Sequence, residues 1–457
     1  MLHEECGVFG IYDRDGYDVA RMTYAGLFAM QHRGQEACGI AVNRDREIYL
    51  YKNRGHVTEV FHDAELDQLK GKFAIGHVRY PAGKVTGVLN AQPLVTWYVK
   101  GQLAMAHNGA ISNAAALKKE LQESGAVFQT KTDTELMMHL MARERLKTGR
   151  AETALVEMMK KVEGSYSLVV MSPQKLMACR DPRGMRPLCI GKLGENTYVI
   201  ASESCALDSI RAEFIRDVEP GEVIVIDENG LRSIKDNCSG NHQICIFEYV
   251  YFARSDSIID GQSVHEARKN LGKILSETAP VEADMVFGVP DSGIDAAIGY
   301  AEASGIPYGK GMVINRYIGR TFIQPTQAER KQKVNMKLNV LKDTVKGKRV
   351  IMVDDSIVRG TTCANLVEML REAGATEVHM RISSPPFVCP CYFGTDVPEK
   401  KELMACNYTV EEMCKKIGAD SLAFFPVERL KETIPNATCG YCDGCFTGKY
   451  PYKEPEN

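Results

Sequence analysis

The stretch RVIMVDDSIVRGTTCANLVEMLREAGATEVHMRIS, residues 349–383, constrains the fold more than any other. An apolar strand runs into a polar loop, a helical segment follows, and a second apolar strand closes the unit. Two strands joined through a helix lie parallel, because a tight hairpin can only join antiparallel neighbours. ADMVFGV, the loop PDSG and the helix IDAAIGYAEASG repeat the pattern upstream. Residues beyond about 236 therefore read as a parallel sheet with crossover helices.

The first half reads differently. EIYLYKN, KFAIGHVRY, QLAMAHNGAI, SYSLVVMS, NTYVIASE and GEVIVIDENG are short strand-like runs, the last ending in the hairpin dipeptide Asn229-Gly230. Between them TDTELMMHLMARERL puts Leu136, Met137, Leu140 and Met141 on one helical face, and NAAALKKELQESG starts at a candidate cap, Asn113, and stops at Gly125. Strands in two clusters with helices outside predict sheets stacked between helical layers. The polar stretch RSIKDNCSGNHQ, 232–243, reads as the boundary between the halves. At 457 residues the chain is too long for one ordinary core.

Composition narrows the function. A hydrophobic share of 44% and a charged share of 25% fit a soluble globular protein, and a net charge of −3 argues against a general nucleic-acid or membrane binder. No apolar run is long enough to span a bilayer, and the N-terminus lacks a secretory pattern, so a cytoplasmic location is expected. In a reducing compartment the fifteen cysteines should be thiols or metal ligands.

Three features carry chemistry. In VDDSIVRGTT the strand delivers Asp354 and Asp355 to its carboxyl end, and Ser356, Gly360, Thr361 and Thr362 lead into a helix. Carboxylates beside N–H groups and hydroxyls at a helix start suit a sugar phosphate. FGVPDSG offers a second strand-end loop with Ser292, and the segment from Arg316 to Lys337 holds six basic residues and one acidic. Cys245, Cys389, Cys391, Cys439, Cys442 and Cys445 form the third feature. Two C-x-x-C pairs overlap in CGYCDGC, so spacing leaves the ligand register open, and it admits zinc or iron–sulfur alike.

VDDSIVRGTT resembles the phosphoribosyl-diphosphate (PRPP) motif of type I phosphoribosyltransferases. ECGVFGIY, QHRGQEACGI, AHNGAISN, KTDTELMMH, DPRGMRPL, FGVPDSG and NRYIGRTFI extend the resemblance over almost the whole chain. Together they resemble the amidophosphoribosyltransferases, in the subclass with a propeptide and a [4Fe–4S] cluster. The resemblance implies an α/β plus α+β architecture: an N-terminal-nucleophile αββα sandwich, residues 6–235, then a type I phosphoribosyltransferase domain, 236–457. Met1 to Glu5 would be the propeptide. It further implies Cys6 as nucleophile, Asn108 and Gly109 as oxyanion donors, and Arg79 and Asp133 as clamps on glutamine. Ser356, Arg359, Gly360, Thr361, Thr362, Arg316, Arg320 and Lys337 would bind PRPP. Ser292, Asp354 and Asp355 would hold Mg2+, and Cys245, Cys391, Cys442 and Cys445 the cluster. Cys439 is then spare, Cys389 stands where the family usually has an aromatic residue, and Ser255 replaces a usual proline. Purine nucleotide feedback inhibitors and a homotetramer are implied as well.

The role of Cys6 depends on its amine. A free α-amino group has a pKa of about 7.7–8.0 and can shuttle a proton near neutrality, whereas an amide cannot. Cys6 therefore needs Met1 to Glu5 removed. Two rivals remain: another glutamine amidotransferase would lack VDDSIVRGTT, and a non-catalytic PRPP-sensing regulator would lack the first half.

Overall fold

The computed structural model describes residues 6–80, 87–315 and 338–455. Met1 to Glu5 and the basic residues Arg316, Arg320 and Lys337 lie outside the described residues.

In the first half two antiparallel sheets pack face to face. The seven-stranded sheet runs Glu213–Asp217, Cys189–Leu193, Thr197–Ala201, Gly7–Tyr12, Phe73–Arg79, Ala37–Arg44, Glu47–Arg54. The six-stranded sheet runs Gly230–Ile234, Val223–Asp227, Leu176–Arg180, Gly164–Met171, Gly101–Ile111, Leu94–Tyr98. The period-2 alternation of side chains decides the layering. Val8, Ile75, Ala106, Val169 and Ile224 fill the space between the sheets. Phe9, Ile11, Ala74 and Val78 face the other way, against the helix Val19–Ala29. Leu168, Val170 and Val225 face the helices Asp133–Lys147 and Ala151–Met159. Leu136, Met137, Leu140 and Met141 are buried, as their spacing predicts, and each such side chain contributes about 1.5–3 kcal/mol when fully buried. The result is the expected four-layer αββα sandwich.

Two local readings shift. The hairpin pairs Asp227 with Gly230, so the turn is Glu228-Asn229, one residue early. The Asp227 carboxylate accepts the Asn229 N–H at 3.0 Å and anchors the chain reversal there. Asn113 does precede the helix Ala114–Glu123, but its side chain does not cap it. It spans to the Lys161 carbonyl and the Glu163 N–H instead, tying two loops together.

The second half is built on a parallel sheet ordered Met285–Gly288, Arg349–Asp354, Glu377–Ile382, Ser421–Phe424. Val286, Ile351 and Val353 face the helix Gly293–Ser304, which packs on Val264–Thr278. Val350 and Met352 face Leu366 and Leu370 of the helix Thr361–Glu372. A short parallel ribbon pairs Gln243–Cys245 with Gly440–Cys442.

Buried arginines fasten the halves. Arg180 gives a bidentate pair to Asp260 at 2.7 and 2.8 Å, and Arg33 gives another to Glu248 at 2.7 and 3.0 Å. Such forks are directional, and removing one partner strands a buried charge. Among the described residues no helix is long and apolar enough to cross a membrane.

Candidate functional site

Cys6 lines a cavity of ≈ 160 Å³ together with Arg79, Asn108, Gly109 and Asp133, among others. The sheets explain the convergence. Cys6 directly precedes the central strand Gly7–Tyr12, and Arg79 ends the neighbouring strand Phe73–Arg79. Asn108 and Gly109 lie on Gly101–Ile111 of the facing sheet, and Asp133 opens the helix Asp133–Lys147. Cys6 Sγ lies 3.7 Å from the Tyr80 carbonyl.

Each member is held differently. Arg79 Nη1 donates to Glu36 at 2.6 Å, so its guanidinium is oriented before any substrate arrives. Asp133 Oδ2 accepts the Ile111 N–H at 3.0 Å, and burial pushes its carboxyl above the usual range. Asn108 is fully buried, and neither its Oδ1 nor its Nδ2 has a partner among the described residues. A buried amide left unpaired is costly, so such a group points to a ligand. Gly109 has φ +132°, and a Cβ there would lie 2.1 Å from the Ser165 carbonyl oxygen, so only glycine fits. The arrangement can cleave an amide: a thiol, amide donors for an oxyanion, and one positive and one negative clamp.

A second site lies at the carboxyl end of the parallel sheet. Asp355 accepts Ser292 Oγ at 2.5 Å and also the Ser356 hydroxyl. Burial and the adjacent Asp355 push Asp354 up to about 8, and burial raises Asp355 too. Gly360 takes φ +77° immediately before the helix Thr361–Glu372, whose first-turn N–H groups have no side-chain cap. Ser292, Asp354, Asp355, Ser356, Gly360, Thr361 and Thr362 thus share one sheet end. Arg359 does not point into it in this state: Nη2 pairs with Glu402 at 2.6 Å on the surface.

The cysteines gather at the ribbon. Cys245 pairs in register with Cys442. Burial and then the nearby Cys391, Cys245 and Cys442 raise the Cys445 thiol, while burial pushes Cys442 up to about 12. Cys439 Sγ lies 3.5 Å from Asp260. Among the described residues no group of three or more His, Cys, Asp or Glu is arranged to hold a metal ion. The four thiols nonetheless suit iron in donor type and neighbourhood: soft, on three separate segments, one buried and three half-buried, beside the buried Phe247, Phe387 and Phe446.

Sequence reasoning missed several contributors. Gly394, from the second half, lines the Cys6 cavity. Arg33, inside QHRGQ, donates from Nε to the Cys6 carbonyl at 3.1 Å. Glu36 orients Arg79. The QHRGQ motif was a signal for Arg33; nothing local marks Gly394.

A glutamine amidotransferase domain model matches residues 85–209, and a phosphoribosyl transferase domain model matches 255–383. Amidophosphoribosyltransferase of Bacillus subtilis is 50% identical over 455 residues, covering 98% of this chain and 94% of that one. The Archaeoglobus fulgidus enzyme is 48% identical, with 98% of each chain covered. The solved structure of the B. subtilis glutamine PRPP amidotransferase complexed with ADP and GMP superposes with a TM-score of 0.90 at 48% identity, covering 99% of both chains. With both domain types matched and this similarity over nearly its full length, the chain belongs to the amidophosphoribosyltransferase family.

Proposed function

We propose that Cys6 hydrolyses glutamine and that the ammonia is transferred to C1 of PRPP, giving 5-phosphoribosylamine, glutamate and diphosphate. The observation that carries this reading is the convergence of Cys6, Arg79, Asn108, Gly109 and Asp133 on one cavity. Domain 6–235 performs the first half-reaction and 236–457 the second, with Met1 to Glu5 removed as a propeptide. The reading keeps the protein cytoplasmic and free of nucleic acid.

The freed amine of Cys6 takes the thiol proton. The thiolate attacks the glutamine side-chain carbonyl carbon, and the tetrahedral oxyanion is met by the Asn108 amide and the Gly109 N–H. Arg79 holds the substrate carboxylate and Asp133 its ammonium. The amine returns the proton to the leaving ammonia, and water hydrolyses the thioester. In the second site the loop 356–362 receives phosphate, Asp354 and Asp355 serve the ribose side, and Arg316, Arg320 and Lys337 bind PRPP. Mg2+ held by Asp354, Asp355 and Ser292 would neutralise diphosphate charge.

A [4Fe–4S] cluster on Cys245, Cys391, Cys442 and Cys445 would cross-link separated segments; neither half-reaction needs its electrons. A homotetramer with purine nucleotide feedback inhibition completes the reading; ADP and GMP are bound in the B. subtilis relative. The test is the mass of anaerobically purified protein, native and denatured. Loss of Met1 to Glu5 together with glutamine-dependent turnover supports the account of the base. Glutamine-dependent turnover by a chain that retains them refutes it. A native excess of four irons and four sulfides supports the cluster, and its absence from an active enzyme refutes it.

A further inference from the structure

The Cys6 site is built on the first half, yet the second half holds it from behind. Glu248 is fully buried and opens the turn Glu248–Phe252, just after the Cys245 strand. Its Oε1 accepts Arg33 Nη2 at 2.7 Å and Arg186 Nη1 at 3.3 Å, and its Oε2 accepts Arg33 Nη1 at 3.0 Å. Arg33 spends its remaining Nε on the Cys6 carbonyl. Arg186 Nη2 donates to the Phe393 carbonyl, which also accepts Ser165 Oγ at 2.6 Å. Ser165 Oγ in turn accepts the Ala110 N–H at 3.2 Å, next to Gly109. One hydrogen-bonded chain therefore begins at the nucleophile's own carbonyl and ends on the strand of the oxyanion donors. It passes through the second half twice, at Glu248 and at Phe393.

The chemistry of this chain favours positioning over fold glue alone. Arg33 and Arg186 both lie in the first half and would repel each other without an anion between them. Glu203, which accepts Arg33 Nη1 at 2.5 Å, supplies a second negative charge, so the buried set balances. Planar guanidinium forks in a low-dielectric interior fix direction as well as distance. Glu248, Arg33 and Arg186 do not line the cavity, so they act through Cys6 and the Gly109 strand.

We infer that Glu248 is a positioning residue for glutamine chemistry: it sets Cys6 and the oxyanion strand in register with each other across the domain junction. The inference rests on Cys6 as nucleophile. Displacing either element by a fraction of an ångström misplaces the oxyanion relative to its donors, with less effect on glutamine's ground-state binding by Arg79, which Glu36 holds.

The experiment uses the full chain with Glu248→Gln, Glu248→Asp, Ser165→Ala and Cys6→Ala, assayed with glutamine and with ammonia. Glu248→Gln keeps one acceptor and loses the charge. Its glutamine kcat should fall about tenfold or more, with KM for glutamine and ammonia-dependent turnover within about twofold, and Glu248→Asp should recover part of the loss. Equal losses with both nitrogen donors would make Glu248 a fold contact only and overturn the inference, as would unchanged glutamine turnover. Should Glu248→Gln not fold, Ser165→Ala decides, because it cuts the chain without touching an ion pair: a glutamine-only kcat loss supports the inference, and unchanged turnover overturns it. Cys6→Ala separates the two levels. If it still turns over glutamine, the nucleophile assignment fails; if it does not and Glu248→Gln is normal, only the positioning role fails.

Discussion

Asn108→Leu should make the protein more stable and nearly abolish its use of glutamine. The side-chain amide of Asn108 is fully buried and neither of its polar atoms has a protein partner among the described residues. A buried polar group in that state costs about 1–3 kcal/mol. Leucine keeps the branched, four-heavy-atom side chain without a polar atom, and the cavity that Asn108 lines takes up its extra bulk, so it removes that cost. At about 2–4 °C per kcal/mol for a domain of this size, the first domain's melting transition should rise by about 2–12 °C. The same change removes an oxyanion donor, and single donors of this kind carry about 2.7–4 kcal/mol of transition-state stabilisation, or about 10²–10³ in kcat. Calorimetry reads the first effect and glutamate release the second, with ammonia-dependent turnover as the control. A lower melting temperature would mean that the amide is satisfied in the resting protein. A glutamine kcat within about threefold of the parent's would remove Asn108 from the mechanism.

Asp133 makes glutamine binding sensitive to acid. Burial raises its folded pKa, so the carboxylate proposed to meet the substrate ammonium is lost at a higher pH than an exposed aspartate would lose it. KM for glutamine should climb as pH falls through that raised value, and Asp133→Asn should show a high, flat KM over the same range. The linked stability runs the other way: the protonated form favours the folded state in acid, and that contribution disappears as pH rises through the folded pKa. Asp355→Asn should lower phosphoribosyl transfer by about tenfold or more with glutamine and ammonia alike, since the Ser292 and Ser356 hydroxyls lose their charged acceptor. Glutamine hydrolysis at Cys6 measured without PRPP should be unchanged in that variant.

Much of the second half is legible because its elements are local. The strand Arg349–Asp354, the loop and the helix Thr361–Glu372 are contiguous, so periodicity and turn residues suffice to place Asp354 and Asp355 at the sheet end. The first half is legible in its layers, since alternating strands fix which side chains turn inward. Its site needed motif resemblance, because Cys6, Arg79, Asn108 and Asp133 are brought together only by strand order, which no window of sequence records. The Glu248 bridge is hidden for the same reason in a stronger form: its partners Arg33 and Arg186 sit in the other half of the chain and carry no periodic signal. Arg359 shows the converse. Its place beside Gly360 suggests phosphate, but Glu402 folds up against it and takes the guanidinium. The hairpin at Asp227 turned early because a carboxylate two residues back outbid the Asn-Gly dipeptide for the turn.

The ribbon that pairs Gln243–Cys245 with Gly440–Cys442 has a consequence for synthesis. A growing chain emerges from the ribosome in order, and its first domain can begin to fold long before Cys442 is made. The ribbon cannot close until that late segment arrives, and the Phe393–Gly394 contact with the Gly109 strand must also wait for most of the chain. The nascent first domain therefore carries its cysteine without its backing. If Cys6 hydrolyses glutamine as proposed, half-made copies should do so only slowly, and the order of translation itself delays most of that hydrolysis until the domain that consumes its product exists.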